Sequence, residues 1–382
     1  MQVDARMPLL GGLSPAQFMR RHWGRKPLLV RQAWPGLVPP LSRAQLFALA
    51  ADADVESRFV RRSGRGGRRW DVRHGPLPRR SLPPLATPGW TVLVQGLDLH
   101  LDAARALVEP FRFVPDARFD DLMISWAAEG GGVGPHVDAY DVFLLQVQGR
   151  RRWRIGRVDD AAYVEGLPLR ILQRFAPEQE WVLEPGDLLY LPPGWGHDGV
   201  AVGGECMGCS VGFRTPEAGG LAAELLQRLA DESDDARCYR DPGQPASDRP
   251  GQLPEALTAF ARQALQRRLA EPQALERALG EVLTEPKPRV WFEAGAAPTL
   301  AAGVRLDRRS RMLYDRHHVF LNGEAFRAAG RDARLMRRLA DARSLDAAAC
   351  AGLSAQAQQV LLQWLADGWL QTGGEPCVPK RP

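Results

Sequence analysis

Residues 134–156 read GPHVDAYDVFLLQVQGRRRWRIG, and this stretch decides the interpretation of the chain. A Gly-Pro turn is followed by His136 and Asp138, two residues apart, and then by an apolar run over residues 142–147 that is typical of a buried strand. Side chains at positions i and i+2 leave the same face of an extended chain, so His136 and Asp138 can reach one ion. The pattern predicts two metal ligands at the start of a strand.

A third ligand is expected from PGDLLYLPPGWGH, residues 185–197, where a strand ends in a Pro-Pro-Gly turn that delivers His197. Two imidazoles and one carboxylate on one face of an octahedron are the ligand set of non-haem Fe(II) oxygenases. Three coordination positions stay open, enough for a bidentate 2-oxo acid and dioxygen. His-x-Asp alone also occurs by chance, and a histidine before a strand is often only a hydrogen-bonded surface residue. The conjunction of all three residues in one β-rich stretch favours the metal site.

The stretch from Phe59 to Phe213 shows short β-type runs separated by Gly, Pro and Asp turns, without a helical pattern between successive strands. This spacing favours an antiparallel barrel or jelly roll over a βαβ fold. The predicted strands cover residues 90–95, 121–127, 142–147, 152–155, 180–183, 188–191 and 209–213.

The two ends of the chain differ from this centre. The N-terminal lead predicts helices that start after Ser14 and Ser42. Leucines at helical spacing follow Thr215-Pro216, and an Asn322-Gly323 hairpin with two further helices gives the order of a winged helix. We therefore expect an oxygenase-type β domain over residues 1–215, a helical segment over 216–285 and a winged-helix-like domain over 286–382.

Composition indicates the number of domains, the kind of partner and the cellular location to expect. A chain of 382 residues predicts two or three domains, and 45% hydrophobic with 25% charged residues is typical of a globular protein. The net charge of +5 is a weak indication of a nucleic-acid partner, because arginine dominates the basic residues along the whole chain. Five cysteines form no disulfide framework, and Cys206-x-x-Cys209 is better interpreted as two buried small side chains than as a zinc or redox motif. No membrane span or signal peptide is recognised, so a cytoplasmic location is expected.

The densest basic run, Arg58–Trp70, has two interpretations. It could contact RNA through phosphates, or it could be a solvated hairpin, which is favoured given the general excess of arginine. The last two helices carry charges of both signs, so DNA binding and protein contact both remain open for the C-terminal module. Direct contact with RNA or DNA is therefore left undecided.

Together, GGGVGPHVDAYDVFLLQVQGRRRWRIG, EPGDLLYLPPGWGHDGVA and CSVGFR resemble the JmjC-type, cupin-like 2-oxoglutarate oxygenases. They are most similar to the bacterial ribosomal oxygenase branch, which hydroxylates an arginine of a large-subunit ribosomal protein at the β-carbon. The resemblance implies a mainly β core, a double-stranded β-helix or jelly roll, with a helical dimerisation segment and a C-terminal winged helix. It also implies Fe(II), 2-oxoglutarate and O2, a ribosomal protein substrate and a homodimer. His136, Asp138 and His197 would hold the iron.

The same resemblance implies further site residues. Arg151 would grip the distal carboxylate of 2-oxoglutarate, which suits the planar fork of a guanidinium, while Arg150 and Arg152 would point to the opposite face of the strand. Ser125 is a candidate hydroxyl partner for that carboxylate, although a purely structural serine fits equally well. Candidates for the substrate side chain are Tyr140, Asp141 and Asp198, and the two aspartates could instead simply cap turns.

Three other functions remain open. One is a histidine hydroxylase of the same superfamily, which the ligand spacing does not distinguish from an arginine hydroxylase. Another is a cupin hydrolase or isomerase that uses zinc or manganese. The last is a non-enzymatic regulator whose barrel senses a small ligand and whose winged helix binds DNA.

Overall fold

The computed structural model describes residues 2–63, 69–231, 235–295 and 298–373, which form two compact units. The first unit holds the described residues up to Thr215 together with residues 289–291, and the second holds the rest. Across the described ranges, no helix combines the length and the apolar character needed to cross a lipid bilayer.

The first unit begins with α1 (Pro15–Arg21), β1 (Leu28–Val30) and α2 (Arg43–Ala50). Ser14 and Ser42 are the N-caps of α1 and α2, and each accepts the backbone N–H of the glutamine three residues on. Each glutamine side chain bonds back to the backbone of its serine, which completes a capping box. The two helix starts predicted from the sequence are confirmed.

The β domain consists of eleven further strands, with two short helices between the third and fourth of them. These elements are β2 (Ser57–Ser63), β3 (Arg69–His74), β4 (Trp90–Val94), α3 (Leu97–His100), α4 (Asp102–Val108), β5 (Phe119–Ala127), β6 (His136–Val137), β7 (Asp141–Gln148), β8 (Arg151–Arg157), β9 (Gln179–Leu183), β10 (Leu188–Leu191), β11 (Trp195–Ala201) and β12 (Cys206–Phe213). One sheet has the order β1-β10-β7-β12-β5-β4-β2-β3 and the other β6-β11-β8-β9, with antiparallel pairing throughout.

The two sheets face each other across an apolar layer, as in a jelly roll. Val142 and Leu144 from the large sheet pack there with Trp153, Ile155 and Trp195 from the small one. The opposite face of the large sheet is covered by the N-terminal lead, whose Phe18, on α1, lies with its ring centroid 4.8 Å from that of Tyr190. The predicted jelly-roll core with helical additions is confirmed.

Two details of the sequence prediction were wrong. The Pro-Pro-Gly turn before His197 is present, but residues 195–201, for which no strand was predicted, form β11, and α3 and α4 interrupt a region expected to lack helices. Gly196 and Gly199 made the strand hard to recognise, since glycine is depleted in strands. Both are required by packing, because a Cβ on Gly199 would lie 2.6 Å from the Trp153 indole and one on Gly196 2.7 Å from Val158.

The second unit contains three helices followed by a small α/β module. Its elements are α5 (Ala218–Asp231), α6 (Glu255–Ala270), α7 (Ala274–Thr284), β13 (Val304–Leu306), β14 (Met312–Tyr314), β15 (His318–Leu321), β16 (Glu324–Arg327), α8 (Gly330–Ala342), β17 (Ser344–Leu345), α9 (Ala347–Ala351), α10 (Ala355–Ala366) and β18 (Leu370–Thr372). Two three-stranded sheets have the orders β17-β13-β18 and β14-β15-β16. The Asn322-Gly323 turn joins β15 to β16, and both residues have the positive φ angles that such a tight turn needs.

Candidate active site

Three side chains converge at one end of the jelly-roll interior. His136 on β6 pairs in register with His197 on β11, and Asp138 follows β6 directly. The ring centroids of the two histidines lie 4.2 Å apart, and Asp138 Oδ2 lies 3.5 Å from His197 Nε2. One ligand atom from each of the three residues lies within 4.8 Å of the other two. The geometry therefore allows all three to bind a single cation.

Both imidazoles are oriented by hydrogen bonds to backbone carbonyls. His136 Nδ1 lies 2.8 Å from the carbonyl oxygen of Gly134, and His197 Nδ1 lies 3.1 Å from that of Trp195. A carbonyl can only accept, so each Nδ1 carries the proton and each Nε2 keeps its lone pair for a metal. This arrangement of the outer hydrogen bonds is typical of histidine ligands in metal sites.

The charge state of His197 also suits metal binding. Burial, assisted by the neighbouring His136 imidazole, lowers the pKa of His197 to about 4, against the opposing effect of Asp138. The side chain is only 3% exposed. His197 is therefore neutral at physiological pH, as a nitrogen ligand must be.

Arg151 forms the other end of the site. It is the first residue of β8, is 8% exposed and donates from Nη1 to Ser125 Oγ over 3.0 Å. Its Nη2 is buried and has no hydrogen-bond partner among the described residues. A buried cationic donor without a partner is costly, so this nitrogen indicates the place of an anionic ligand.

Trp153 connects the two ends of the site. Its ring centroid lies 5.7 Å from that of His197 and 5.9 Å from the guanidinium carbon of Arg151. The structure thus brings His136, Asp138, His197, Arg151 and Ser125 into one interior. Arg150 is exposed and Arg152 partly exposed, as the alternation of side chains along β8 predicts.

The mouth of the site, its exposed entrance beside Tyr140 and Asp121, is acidic. Tyr140 is 40% exposed, and burial of its hydroxyl together with the negative charges of Asp138, Asp121 and Asp120 raises the pKa of Tyr140. A Cβ on Gly212 would lie 3.7 Å from Asp121 Oδ1 and 3.8 Å from the Tyr140 ring, so Asp121 and Tyr140 border the same space. Asp121 was not among the residues predicted from the sequence. It shares a strand face with Ser125, and that alternation could have identified it.

Asp141 and Asp198, the two other predicted substrate residues, are engaged elsewhere. Asp141 accepts hydrogen bonds from the Gly24 N–H over 3.1 Å and the Tyr190 hydroxyl over 2.5 Å, on the face of β7 that packs against the N-terminal lead. Asp198 is fully buried and pairs with Arg154 at 2.5 Å and with Arg62 at 3.6 Å. These contacts favour structural roles for both aspartates.

The basic run Arg58–Trp70 is described only in part, because residues 64–68 lie outside the described ranges. Its described residues belong to β2 and β3, where Phe59 and Val60 are fully buried. The predicted hairpin is present, because β2 and β3 pair in antiparallel register, but it is not solvated at Phe59 and Val60.

Two family models match separate parts of the chain. The JmjC domain matches residues 106–221, and the ROXA-like winged helix matches residues 264–371. The fold and the site thus define a JmjC-domain protein with an appended winged helix. The division into three domains made from the sequence stays a prediction.

Known relatives identify the family within the JmjC-domain proteins. The chain is 35% identical over 272 residues, 71% of each chain, to the ribosomal protein uL16 3-hydroxylase of Escherichia coli. It is 28% identical over 94% of its length to a probable ribosomal oxygenase of Haemophilus influenzae, 96% of which is covered. The chain belongs to the JmjC-domain ribosomal oxygenase family.

Solved structures agree with this assignment. The X-ray structure of E. coli YcfD matches with a TM-score of 0.83 at 28% identity, covering 94% of this chain and 98% of that one. A second YcfD structure, described as a ribosomal oxygenase in complex with cobalt and 2-oxoglutarate, matches with a TM-score of 0.79 at 28% identity over 95% and 99% of the two chains. An Aedes aegypti lysine-specific demethylase and histidyl-hydroxylase, NO66, is 29% identical over 49% of this chain and 31% of its own length.

Proposed function

We propose that this protein is an Fe(II)- and 2-oxoglutarate-dependent hydroxylase of a large-subunit ribosomal protein, with an arginine β-carbon as its target. The observation that carries the proposal is one jelly-roll interior that holds the His136, Asp138 and His197 donors at one end and the unpartnered Arg151 donor at the other. The names of the relatives support the ribosomal substrate, and a cytoplasmic reaction is part of the same proposal.

The donor set fits ferrous iron. Two neutral imidazoles and one carboxylate are the 2-His-1-carboxylate arrangement, which leaves coordination positions open for other ligands. His136 and His197 would each bind through Nε2 and Asp138 through a carboxylate oxygen. Zinc or manganese would accept the same donors, so the need for 2-oxoglutarate distinguishes the oxygenase from a cupin hydrolase or isomerase.

Arg151 and Ser125 fit the distal carboxylate of 2-oxoglutarate. The free Nη2 offers a charge-assisted hydrogen bond to a carboxylate oxygen, and Ser125 fixes the neighbouring Nη1 over 3.0 Å. When bound, iron, 2-oxoglutarate and O2 supply the oxidising power that converts a C–H bond to C–OH, with succinate and carbon dioxide as coproducts. The protein orients the cosubstrate, and Trp153 and Ile155 keep water from the interior between the two ends.

The acidic mouth supports an arginine substrate. A guanidinium that enters past Tyr140 meets an aromatic face and the carboxylate of Asp121. Asp121 also accepts the Gly96 N–H over 2.9 Å, which fixes the orientation of the carboxylate. In this proposal Tyr140 and Asp121 bind the substrate, whereas Asp141 and Asp198 hold the surrounding framework.

The function can be tested with the purified protein, Fe(II), 2-oxoglutarate and the large-subunit ribosomal protein uL16. We expect succinate release that depends on the ribosomal protein, together with the gain of one oxygen atom on an arginine in mass spectrometry. Asp138→Ala is the inactive control. Absence of 2-oxoglutarate turnover with any ribosomal protein would contradict the proposal.

Histidine hydroxylation is the alternative target chemistry, since one relative is named a histidyl-hydroxylase. A neutral imidazole gains little from a carboxylate compared with a permanently charged guanidinium. Asp121→Asn therefore separates the two targets, because it should impair modification of an arginine far more than modification of a histidine. Oxygen found on histidine, and unaffected by this change, would replace the arginine proposal.

We also propose a homodimer formed through the helical part of the second unit. Helix α6 has no buried residue, and Leu257, Leu265 and Leu269 lie on one face of it, with Leu265 60% exposed. Light scattering should show a dimer for the full chain and a monomer for Leu265→Asp. A monomeric wild-type protein would remove this part of the proposal.

The winged helix is proposed to help hold the protein substrate. Helix α8 presents Arg334 and Arg338 but also Asp332 and Asp341, and this mixture of charges gives no uniformly basic surface for DNA. The rival role, a DNA-binding regulator, would give a gel shift with duplex DNA and no 2-oxoglutarate turnover.

A further inference from the structure

Arg151 is held by a thiol as well as by a hydroxyl. Its Nε lies 3.4 Å from Cys206 Sγ, in hydrogen-bonding geometry, while Nη1 donates to Ser125. Cys206 is fully buried. Two of the three guanidinium nitrogens are therefore engaged by the protein, and the third, Nη2, has no partner in the part of the chain that the structure describes.

The backbone brings this thiol to the guanidinium. The turn between β7 and β8 passes close to the start of β12, and a Cβ on Gly149 would lie only 2.2 Å from the Glu205 carbonyl oxygen and 3.0 Å from Cys206. Gly149 has a φ of +63°, so glycine meets both the conformational and the steric demand. As a result the first residue of β8, Arg151, begins next to Cys206.

The strand register places Cys206 on the interior face. Cys206 and Gly208 alternate inward on β12, and Gly208 pairs with Ser125 on β5. The Ser125 hydroxyl lies 3.4 Å from the Gly208 carbonyl oxygen, which can accept its proton and leave the Ser125 oxygen free to accept from Arg151. Arg151 is thus held by two adjacent strands, by Cys206 on β12 and by Ser125 on β5.

Trp153 restrains the guanidinium from a third direction, with its ring centroid 5.9 Å from the guanidinium carbon. A guanidinium is planar, and its N–H donors bind a carboxylate well only when they point at the carboxylate oxygens. Fixing Nε and Nη1 within the plane determines where the free Nη2 points. Without the sulfur, the fork could rotate and Nε would become a second buried donor without a partner.

We propose that Cys206 is a positioning residue, whose thiol aligns the Arg151 guanidinium for the distal carboxylate of the cosubstrate. This inference rests on the proposed function, because it takes the ligand of Arg151 to be 2-oxoglutarate. It assigns Cys206 a role in the affinity for the cosubstrate and none in the oxidation itself.

The test is the dissociation constant of 2-oxoglutarate for the Co(II)-loaded protein without oxygen, measured by calorimetry. Cys206→Ala should raise it about ten-fold, since an unsatisfied buried donor to a charged ligand is costly, and Cys206→Ser should restore it to within about three-fold of wild type. The turnover number at saturating 2-oxoglutarate should change less than about two-fold, because the loss concerns binding of the cosubstrate.

Cys209→Ala is the matched control. Cys209 lies three residues further along β12 and faces the apolar core on the other side of the sheet. Its truncation should lower the unfolding temperature and leave the dissociation constant of 2-oxoglutarate at the wild-type value. Unfolding temperatures of all variants separate effects on folding from effects on the site.

A double-mutant cycle distinguishes loss of the contact between Cys206 and Arg151 from a general structural effect of Cys206→Ala. Lysine has no counterpart of Nε, so Cys206→Ala on an Arg151→Lys background should raise the dissociation constant by less than about two-fold. A wild-type value in Cys206→Ala, or the same loss on both backgrounds, would overturn the inference. If the wild-type protein itself fails to bind 2-oxoglutarate with Co(II), the proposed function has failed instead.

Discussion

The buried interior of the site, from His197 to Arg151, differs from its mouth at Tyr140 and Asp121. In the interior, His197, Ser125 and Arg151 are 3%, 4% and 8% exposed, and each has its orientation fixed by a hydrogen bond to the protein. At the mouth, Tyr140 is 40% exposed and lies beside several carboxylates. If the proposed function holds, the buried, prearranged groups bind metal and cosubstrate, whereas the few exposed groups at the mouth select the substrate. Substitutions in the interior and at the mouth should therefore affect different measured quantities.

The largest effect is expected for His197→Ala, which removes one of the two nitrogen ligands proposed for the metal. Loss of an outer-shell partner alone costs roughly 10–100-fold in metal affinity, so we expect the loss of a ligand to weaken Co(II) binding by more than about 100-fold and to abolish turnover. Metal titration followed by visible absorption measures this. His74→Ala, at an exposed position on β3, is the control and should bind metal like the wild type.

Arg151→Met should have the next largest effect. Truncating one partner of a buried charged pair costs about 2–5 kcal/mol, so the dissociation constant of 2-oxoglutarate should rise at least about 30-fold. Co(II) affinity in the absence of 2-oxoglutarate should remain at the wild-type value, because Arg151 contacts none of the three ligands among the interactions described. If the affinity for 2-oxoglutarate stayed unchanged, the unpartnered Nη2 would need another anion as its ligand.

Asp121→Asn probes the mouth and should have a smaller effect. A hydrogen bond to a charged group contributes about 1.5–3 kcal/mol, so the KM for an arginine-containing ribosomal substrate should rise roughly ten-fold or more. The dissociation constant of 2-oxoglutarate should not change. Asp120→Asn is the matched control, since Asp120 is the neighbouring residue, pairs with Arg214 at 3.2 Å and leaves the strand on the opposite face. Equal effects of both changes would point to a general negative field in place of a specific contact.

His136, Asp138 and Arg151 face the interior that the sequence predicted for them, because each obeys a local rule. The i, i+2 spacing of His136 and Asp138 and the alternation that turns Arg151 inward need no knowledge of distant contacts. Contacts between residues far apart in the sequence were harder to predict. Strand β11 was missed because Gly196 and Gly199 lower its apparent β propensity. Both positions need glycine because a Cβ would clash with the Val158 side chain at Gly196 and with the Trp153 indole at Gly199.

The mouth was predicted less well, for a physical reason. Tyr140, Asp141 and Asp198 were chosen because they are adjacent in sequence to ligands, yet adjacent residues on a strand face opposite sides. Asp198 therefore points away from the side of His197, toward Arg154 and Arg62, and Asp141 points toward Tyr190. Asp121 could have been found by alternation from Ser125 on β5, whereas Cys206 reaches Arg151 only through the pairing of β12 with β5, which no local pattern reveals.

The smallest effect is expected for Arg150→Gln, and it tests whether Arg151 acts through its fork or through its charge. Arg150 is exposed and precedes Arg151 in the chain, so it carries the same charge but on the opposite face, where solvent screens it. If the site binds 2-oxoglutarate through the directed Nη2 donor, calorimetry should show a change of less than about two-fold in the dissociation constant, at low and at high salt. A loss comparable with that of Arg151→Met, diminished by added salt, would mean that the cosubstrate responds to the positive field of the whole turn. In that case the orientation of Arg151 by Ser125 and Cys206 would have little influence on binding.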